Sequence, residues 1–215
     1  MVPTCATDHC RPATKLGVCA SKPQRSSASL EEVVADYQER RLPAEQAYLR
    51  HYRESPSLRA AIEEAAMARL PNGKRFSHQR RIPAASLHAF TNRLLASQAH
   101  VRRCQNFSAL VQLLRDQGRG IPRIGALTLY DTAHRLGAYL GLSPDRVYLH
   151  AGVRRGAAAL GLDHRASTLP KAAFPREFQH LSPEQIEDCL CIYKAALEKL
   201  ALPSPPPSNP AASRS

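Results

Sequence analysis

The chain has 215 residues, 43% of them hydrophobic, which is enough to bury one sizeable core and too little for two full domains with ragged ends. Thirty Lys and Arg against 18 Asp and Glu give a formal charge of +12, with six Cys and no Trp. No apolar run approaches the ~18 residues of a membrane span, and the opening Met1-Val2-Pro3-Thr4-Cys5 lacks the apolar stretch of a secretory signal, so no membrane partner, a cytoplasmic location and reduced thiols are expected.

Residues 1–28 are rich in Pro, Ser, Thr and Lys without a helical period and read as a disordered lead. Cys5, His9, Cys10 and Cys19 fit no compact zinc spacing, and no metal or cofactor is expected. Ser29-Leu30-Glu31-Glu32 is a capping box that opens a helix carrying Leu30, Val33, Val34 and Tyr37 on one face. Pro43 starts a second helix, and Ser57 caps a third that runs from Leu58 to about Leu70, where Pro71-Asn72-Gly73 ends it. Scarce β-branched residues and many Ala favour helix throughout, and no strand-like alternation stands out.

The charge is localised. Residues 71–125 hold ten basic groups against the single acid Asp116, the footprint of a polyanion partner. Lys74, Arg75, Arg80 and Arg81 lie in a basic loop suited to phosphate contact, which ends at Pro83 in the first turn of a helix bearing Leu87, Phe90 and Leu94. A further helical stretch runs from Val101 to Leu114 with an interruption near Gln105-Asn106.

Gly118-Arg119-Gly120-Ile121-Pro122-Arg123-Ile124-Gly125 then joins two apolar-periodic segments, Phe107 to Leu114 and Leu129 to Leu140. Gly118 and Gly120 offer positive-φ positions and bare backbone. Thr128 is the expected N-cap of the next helix, with Asp131 three residues on, so that free N–H groups of its first turn stand beside Arg123. Ile121-Pro122-Arg123-Ile124-Gly125-Ala126-Leu127-Thr128 resembles the Leu-Pro-Gly-Val-Gly-x-x-Thr hairpin of helix-hairpin-helix DNA-binding proteins, including the base-excision DNA glycosylase superfamily. The resemblance covers about residues 107–162 and takes in Val147-Tyr148-Leu149-His150-Ala151-Gly152-Val153-Arg154. It implies an all-α fold and phosphate binding by the hairpin. Arg123 stands where those hairpins carry their first glycine, Leu127 where the bifunctional enzymes carry a Schiff-base lysine, and Tyr148 where they carry a catalytic aspartate. The acid left to a glycosylase or lyase reading is Asp145, and the four cysteines of the iron–sulfur variant are absent.

His134, His150, His164 and His180 have no acidic partner at fixed spacing and are expected to be structural or solvated. Cys189 and Cys191 are expected to be packing residues. Residues 163–178 form a loop with Phe174 and Phe178 turned to the core. Ser182-Pro183-Glu184-Gln185 then opens a last helix with Ile186, Leu190, Tyr193, Leu197 and Leu200 on one face. Five prolines in eight residues from Pro203 make 202–215 a disordered tail.

The whole reads as an all-α single domain over residues 29–201, with seven to nine helices and a helix-hairpin-helix-like element. The expected function is binding of nucleic acid, DNA before RNA, without strong sequence preference. Gly118, Gly120, Gly125 and Thr128 would bring backbone to phosphate, and Lys74, Arg75, Arg80, Arg81, Arg119 and Arg123 would supply charge. A helical module with a basic face for an acidic protein partner is the non-enzymatic alternative.

Overall fold

A computed structural model describes residues 29–70 and 72–201. Pro71, the segments 1–28 and 202–215 for which disorder is expected, and with them Cys5, His9, Cys10 and Cys19, lie outside the described residues. The described chain is all-α: nine α-helices, three single 3-10 turns and one pair of two-residue strands.

Helix α1 (Leu30–Arg40) begins where Ser29 Oγ accepts from Glu32 N at 3.3 Å, and α2 (Leu42–Arg53) follows with Pro43 in its first turn. Ser57 caps α3 (Leu58–Ala66), which ends four residues before the expected Leu70. Ala68 takes a φ of 55° and Arg69 forms an isolated bridge with Arg75, so the helix has ended before the chain turns back between Leu70 and Lys74, where Leu70 N donates to Lys74 O at 2.7 Å. Pro83 is the N-cap of α4 (Ala84–Ala96), which a short α5 (Gln98–Arg103) continues. The expected interruption is a true break, since Asn106 Oδ1 accepts from Ala109 N at 2.8 Å and starts α6 (Phe107–Gly118). Helix α7 (Ala126–Leu140) ends at Gly141, whose φ of 71° turns Leu142 N back onto Gly137 O at 2.9 Å. Strand β1 (Val147–Tyr148) then leads into α8 (Ala151–Ala159), and pairs antiparallel with β2 (Thr168–Leu169) in the register Val147 to Leu169 and Tyr148 to Thr168. Two residues per strand are too few for alternation to be visible in a sequence. The full capping box of Ser182 and Gln185 opens α9 (Pro183–Leu200) as expected.

Burial divides the interior into two clusters. The first is built on α2 to α7 from Tyr52, Ile62, Phe90, Phe107, Leu110, Leu136 and their neighbours. The second is built on α1, α8, α9 and β1 around Val33, Tyr37, Val153, Phe178, Leu190 and Tyr193. Removing each such side chain from water contributes about 1.5–3 kcal/mol. Helices α8 and α9 approach so closely that a Cβ at Gly156 would lie 2.8 Å from Leu190 O. Helix α2 packs on α1 and on α7, joining the two clusters. Along that junction run ionisable groups of α2, α7 and α9.

Candidate nucleic-acid interface

The hairpin connects α6 to α7 over residues 119–125. Gly118 does not take a positive φ: it is the last residue of α6, buried, and a Cβ there would stand 2.9 Å from Leu129 Cδ2 and 3.0 Å from Ile124 Cγ2. It lets the two helices close on each other and presents nothing outward. Gly120 takes the expected left-handed conformation at φ 74°. Arg123 takes φ 67°, the left-handed conformation that glycine accepts freely and that costs an L side chain about 1–2 kcal/mol. The conformation is held from beneath by buried Ile121 and half-buried Ile124, and from the side by Arg93, whose Nη1 donates to Gln117 O at 3.0 Å and Arg119 O at 2.8 Å. Arg93 thereby satisfies carbonyls that the end of α6 leaves open.

Helix α7 starts earlier than expected. Gly125, not Thr128, is its N-cap, and Thr128 is the third helical residue, 6% exposed. Thr128 therefore packs inward and contributes its position in the first turn rather than its hydroxyl. Because Gly125 has no side chain, the opening turn of this 15-residue helix has no side-chain cap, and its positive end stays open beside exposed Arg123. Arg119 is also exposed and meets Asp116 at 3.2 Å, a surface contact of little stabilising value.

The basic loop is fixed to the same helix. Gln79 Nε2 donates to Asp131 Oδ2 at 2.9 Å, and His78 Nε2 meets the same oxygen at 2.7 Å. Beneath them Arg135, 1% exposed, donates to Gln79 Oε1 at 3.1 Å, Ala65 O at 3.2 Å and Tyr48 Oη at 3.2 Å, with its guanidinium 4.2 Å above the Phe76 ring. Asp131 is thus a ligand for the loop rather than the box partner of Thr128. It lies about 9 Å along the helix axis from Gly125, so loop and hairpin are both anchored to the first two turns of α7. Lys74, Arg80 and Arg81 are exposed, whereas Arg75 is half-buried and donates to Ile82 O at 3.0 Å. Arg69, Arg75 and Arg80 border a hollow of about 400 Å³.

Beside the hairpin lies a cleft of about 790 Å³. Its walls include Gly125 and Ala126 of the α7 N-terminus, Tyr130, Tyr148, Arg115 and Arg154, and it reaches His150, the N-cap of α8. His150 was expected to lack an acidic partner, but Glu187 of α9 supplies one: the two side chains are both buried and His150 Nε2 is bonded to Glu187 Oε1. Burial disfavours charge on both. It pushes the Glu187 carboxyl up, while for His150 the adjacent carboxylate outweighs burial and raises the imidazole above its usual value. His150 Nδ1 is buried with no hydrogen-bond partner among the described residues. Cys191, one turn beyond Glu187, places its Sγ so that donor atoms of all three residues lie within 4.8 Å of one another.

More ionisable groups continue this seam. Burial and then the Glu187 charge push Asp188 up to about 7, and burial raises Glu45 as well. His134 Nδ1 lies 3.6 Å from Glu45 Oε1, but burial lowers the imidazole to about 4, so this contact is between neutral groups and is not an ion pair.

Asp145, the acid on which the glycosylase reading relied, is exposed in the bend before β1 and does not line the cleft. The site residues missed in the sequence are Arg93, Asp131, His150, Glu187 and Cys191. For the last two the available signal was their i, i+4 spacing, which puts both on one face of a helix; nothing in the sequence indicates that His150, 37 residues away, meets them. No protein-family model, curated protein or solved structure matches this chain.

Proposed function

We propose that the protein binds the phosphate backbone of DNA, with the 119–125 hairpin and the first turn of α7 as the principal contact and the Lys74–Arg81 loop as a second. The observation that carries this reading is the uncapped N-terminus of α7, presented by a hairpin in which Gly120 and Arg123 both take positive φ and Arg119 and Arg123 are exposed. Backbone N–H groups at a helix start donate to an anion in hydrogen-bonding geometry, the helix dipole favours it, and neighbouring arginines add charge. Contacts of this kind position a duplex without reading its bases, so sequence preference is weak. Among the described residues no helix is long and apolar enough to cross a membrane.

About six phosphate contacts make affinity fall roughly a thousandfold between 50 and 200 mM salt. The test is fluorescence anisotropy of labelled duplex and single-stranded DNA and RNA across salt, with the wild type beside Arg119→Ala/Arg123→Ala. A steep salt dependence for duplex DNA, reduced in the double variant, supports the reading. An unchanged slope removes the hairpin from the interface, and no binding at low salt transfers the basic face to an acidic protein partner.

A further inference from the structure

We propose that His150, Glu187 and Cys191 form a binding site for one divalent transition-metal ion, Zn²⁺ by the chemistry of its donors, at the floor of the cleft beside the hairpin. The site is distinct from the hairpin and stands whether or not the hairpin binds DNA.

Geometry is the first argument. The three donor atoms lie within 4.8 Å of one another. Bonds of about 2.0–2.3 Å to a tetrahedral Zn²⁺ place ligand atoms about 3.3–3.8 Å apart, so the hydrogen-bonded His150 and Glu187 atoms would part by about an ångström, and the widest separation in the set would shrink by about as much, to enclose the ion. Glu187 and Cys191 are one turn apart on a single face of α9, and His150 is fixed at the junction of β1 and α8, so the ligands sit on regular elements. Gly152 makes room for the thiol, since a Cβ there would stand 2.8 Å from Cys191 Sγ.

Donor chemistry and charge agree with it. One sulfur, one imidazole nitrogen and one carboxylate oxygen suit Zn²⁺, whereas Mg²⁺ and Ca²⁺ favour all-oxygen sets. A thiolate, a carboxylate and a neutral imidazole cancel the 2+ charge, which satisfies the demand of a buried location for neutrality. The His150 ring carries a second indication. Its Nδ1 is buried without a partner, so the far side of the ring is not locked by a hydrogen bond and the imidazole can turn onto a metal. His150 lines the cleft together with Tyr130 and Arg154, so a water or substrate oxygen completing the tetrahedron of a three-ligand zinc site would reach the ion from the His150 side.

The experiment uses the 215-residue chain carrying Cys5→Ser, Cys10→Ser and Cys19→Ser, so that the remaining thiols are Cys104, Cys189 and Cys191. Titration with Co²⁺ should give a thiolate-to-metal charge-transfer absorption that saturates at one equivalent and disappears on addition of Zn²⁺. Adding Cys191→Ala should abolish the band, and Glu187→Gln should weaken Zn²⁺ binding by more than about tenfold. A measurement that needs no further variant is alkylation followed by mass spectrometry, in which Zn²⁺ should slow modification of Cys191 and leave Cys104 unchanged. Absence of the band, its persistence in Cys191→Ala, or equal alkylation of Cys191 with and without Zn²⁺ overturns the site.

Discussion

Arg123 carries two opposing demands at one position. Its left-handed backbone at φ 67° favours glycine, while the phosphate-binding reading uses its guanidinium. Arg123→Gly is therefore expected to raise stability by about 0.5–1 kcal/mol in urea unfolding and at the same time to weaken DNA binding. A variant that loses stability would show that Arg123 makes contacts in the fold beyond its backbone strain. Asp188 gives a second residue-level test. The folded chain keeps its proton up to about pH 7, whereas an unfolded chain releases it near pH 4. Between those values the folded state binds more protons, so this group makes stability fall as pH rises. Asp188→Asn imitates the protonated form. It should differ little from wild type near pH 4 and exceed it by about 2 kcal/mol at pH 8, half of what the full shift would give for a completely enclosed group. A stability difference that does not change with pH contradicts the assignment.

At the level of elements, close contact between helices decides what can be substituted. At Gly156 the nearest atom to an added Cβ is the backbone oxygen of Leu190 at 2.8 Å, which cannot rotate away. Gly156→Ala is expected to lower the urea midpoint by the equivalent of about 1–3 kcal/mol by forcing α8 from α9. Gly118 is surrounded instead by the side chains of Leu129 and Ile124, so Gly118→Ala should cost less. Helix starts were legible in the sequence because Ser29, Ser57 and Ser182 bond locally to backbone three residues away. The start of α7 was misplaced by three residues because Thr128 has the residue type of a cap, yet burial claims its side chain and Gly125 takes the role. Gly120 was readable as a positive-φ position. Arg123 was not, because nothing in its side chain announces it.

Across the whole molecule, the polar groups collect where the two hydrophobic clusters meet. The α7 helix supplies the open N-terminus to the hairpin, Asp131 and Arg135 to the basic loop, and Tyr130 to the cleft. Removing the buried guanidinium with Arg135→Ala would leave Gln79 Oε1 and Tyr48 Oη without the donor they have here and take from Ala65 O one of its donors, the backbone N–H of Ala68 remaining. A loss of about 3–5 kcal/mol is expected, with the basic loop released from α7; calorimetric unfolding measures it, and an unchanged melting temperature would mean that the loop is held elsewhere. The excess of positive charge in residues 71–125 was visible in the sequence as a run of arginines. The His150 and Glu187 pair was not, because it joins residues 37 positions apart through the packing of α8 on α9.

The most direct test of the DNA-binding account is the amide NMR spectrum of the ¹⁵N-labelled protein during titration with a short duplex in low salt. The account predicts that the largest shifts fall on the amides of Arg119 to Thr128, where the hairpin opens into α7, with smaller ones over Lys74 to Arg81, and that they diminish together as salt is added. Shifts confined to the hollow bordered by Arg69 and Arg75, or to any surface away from α7, with the Gly125 to Thr128 amides unmoved, would contradict it.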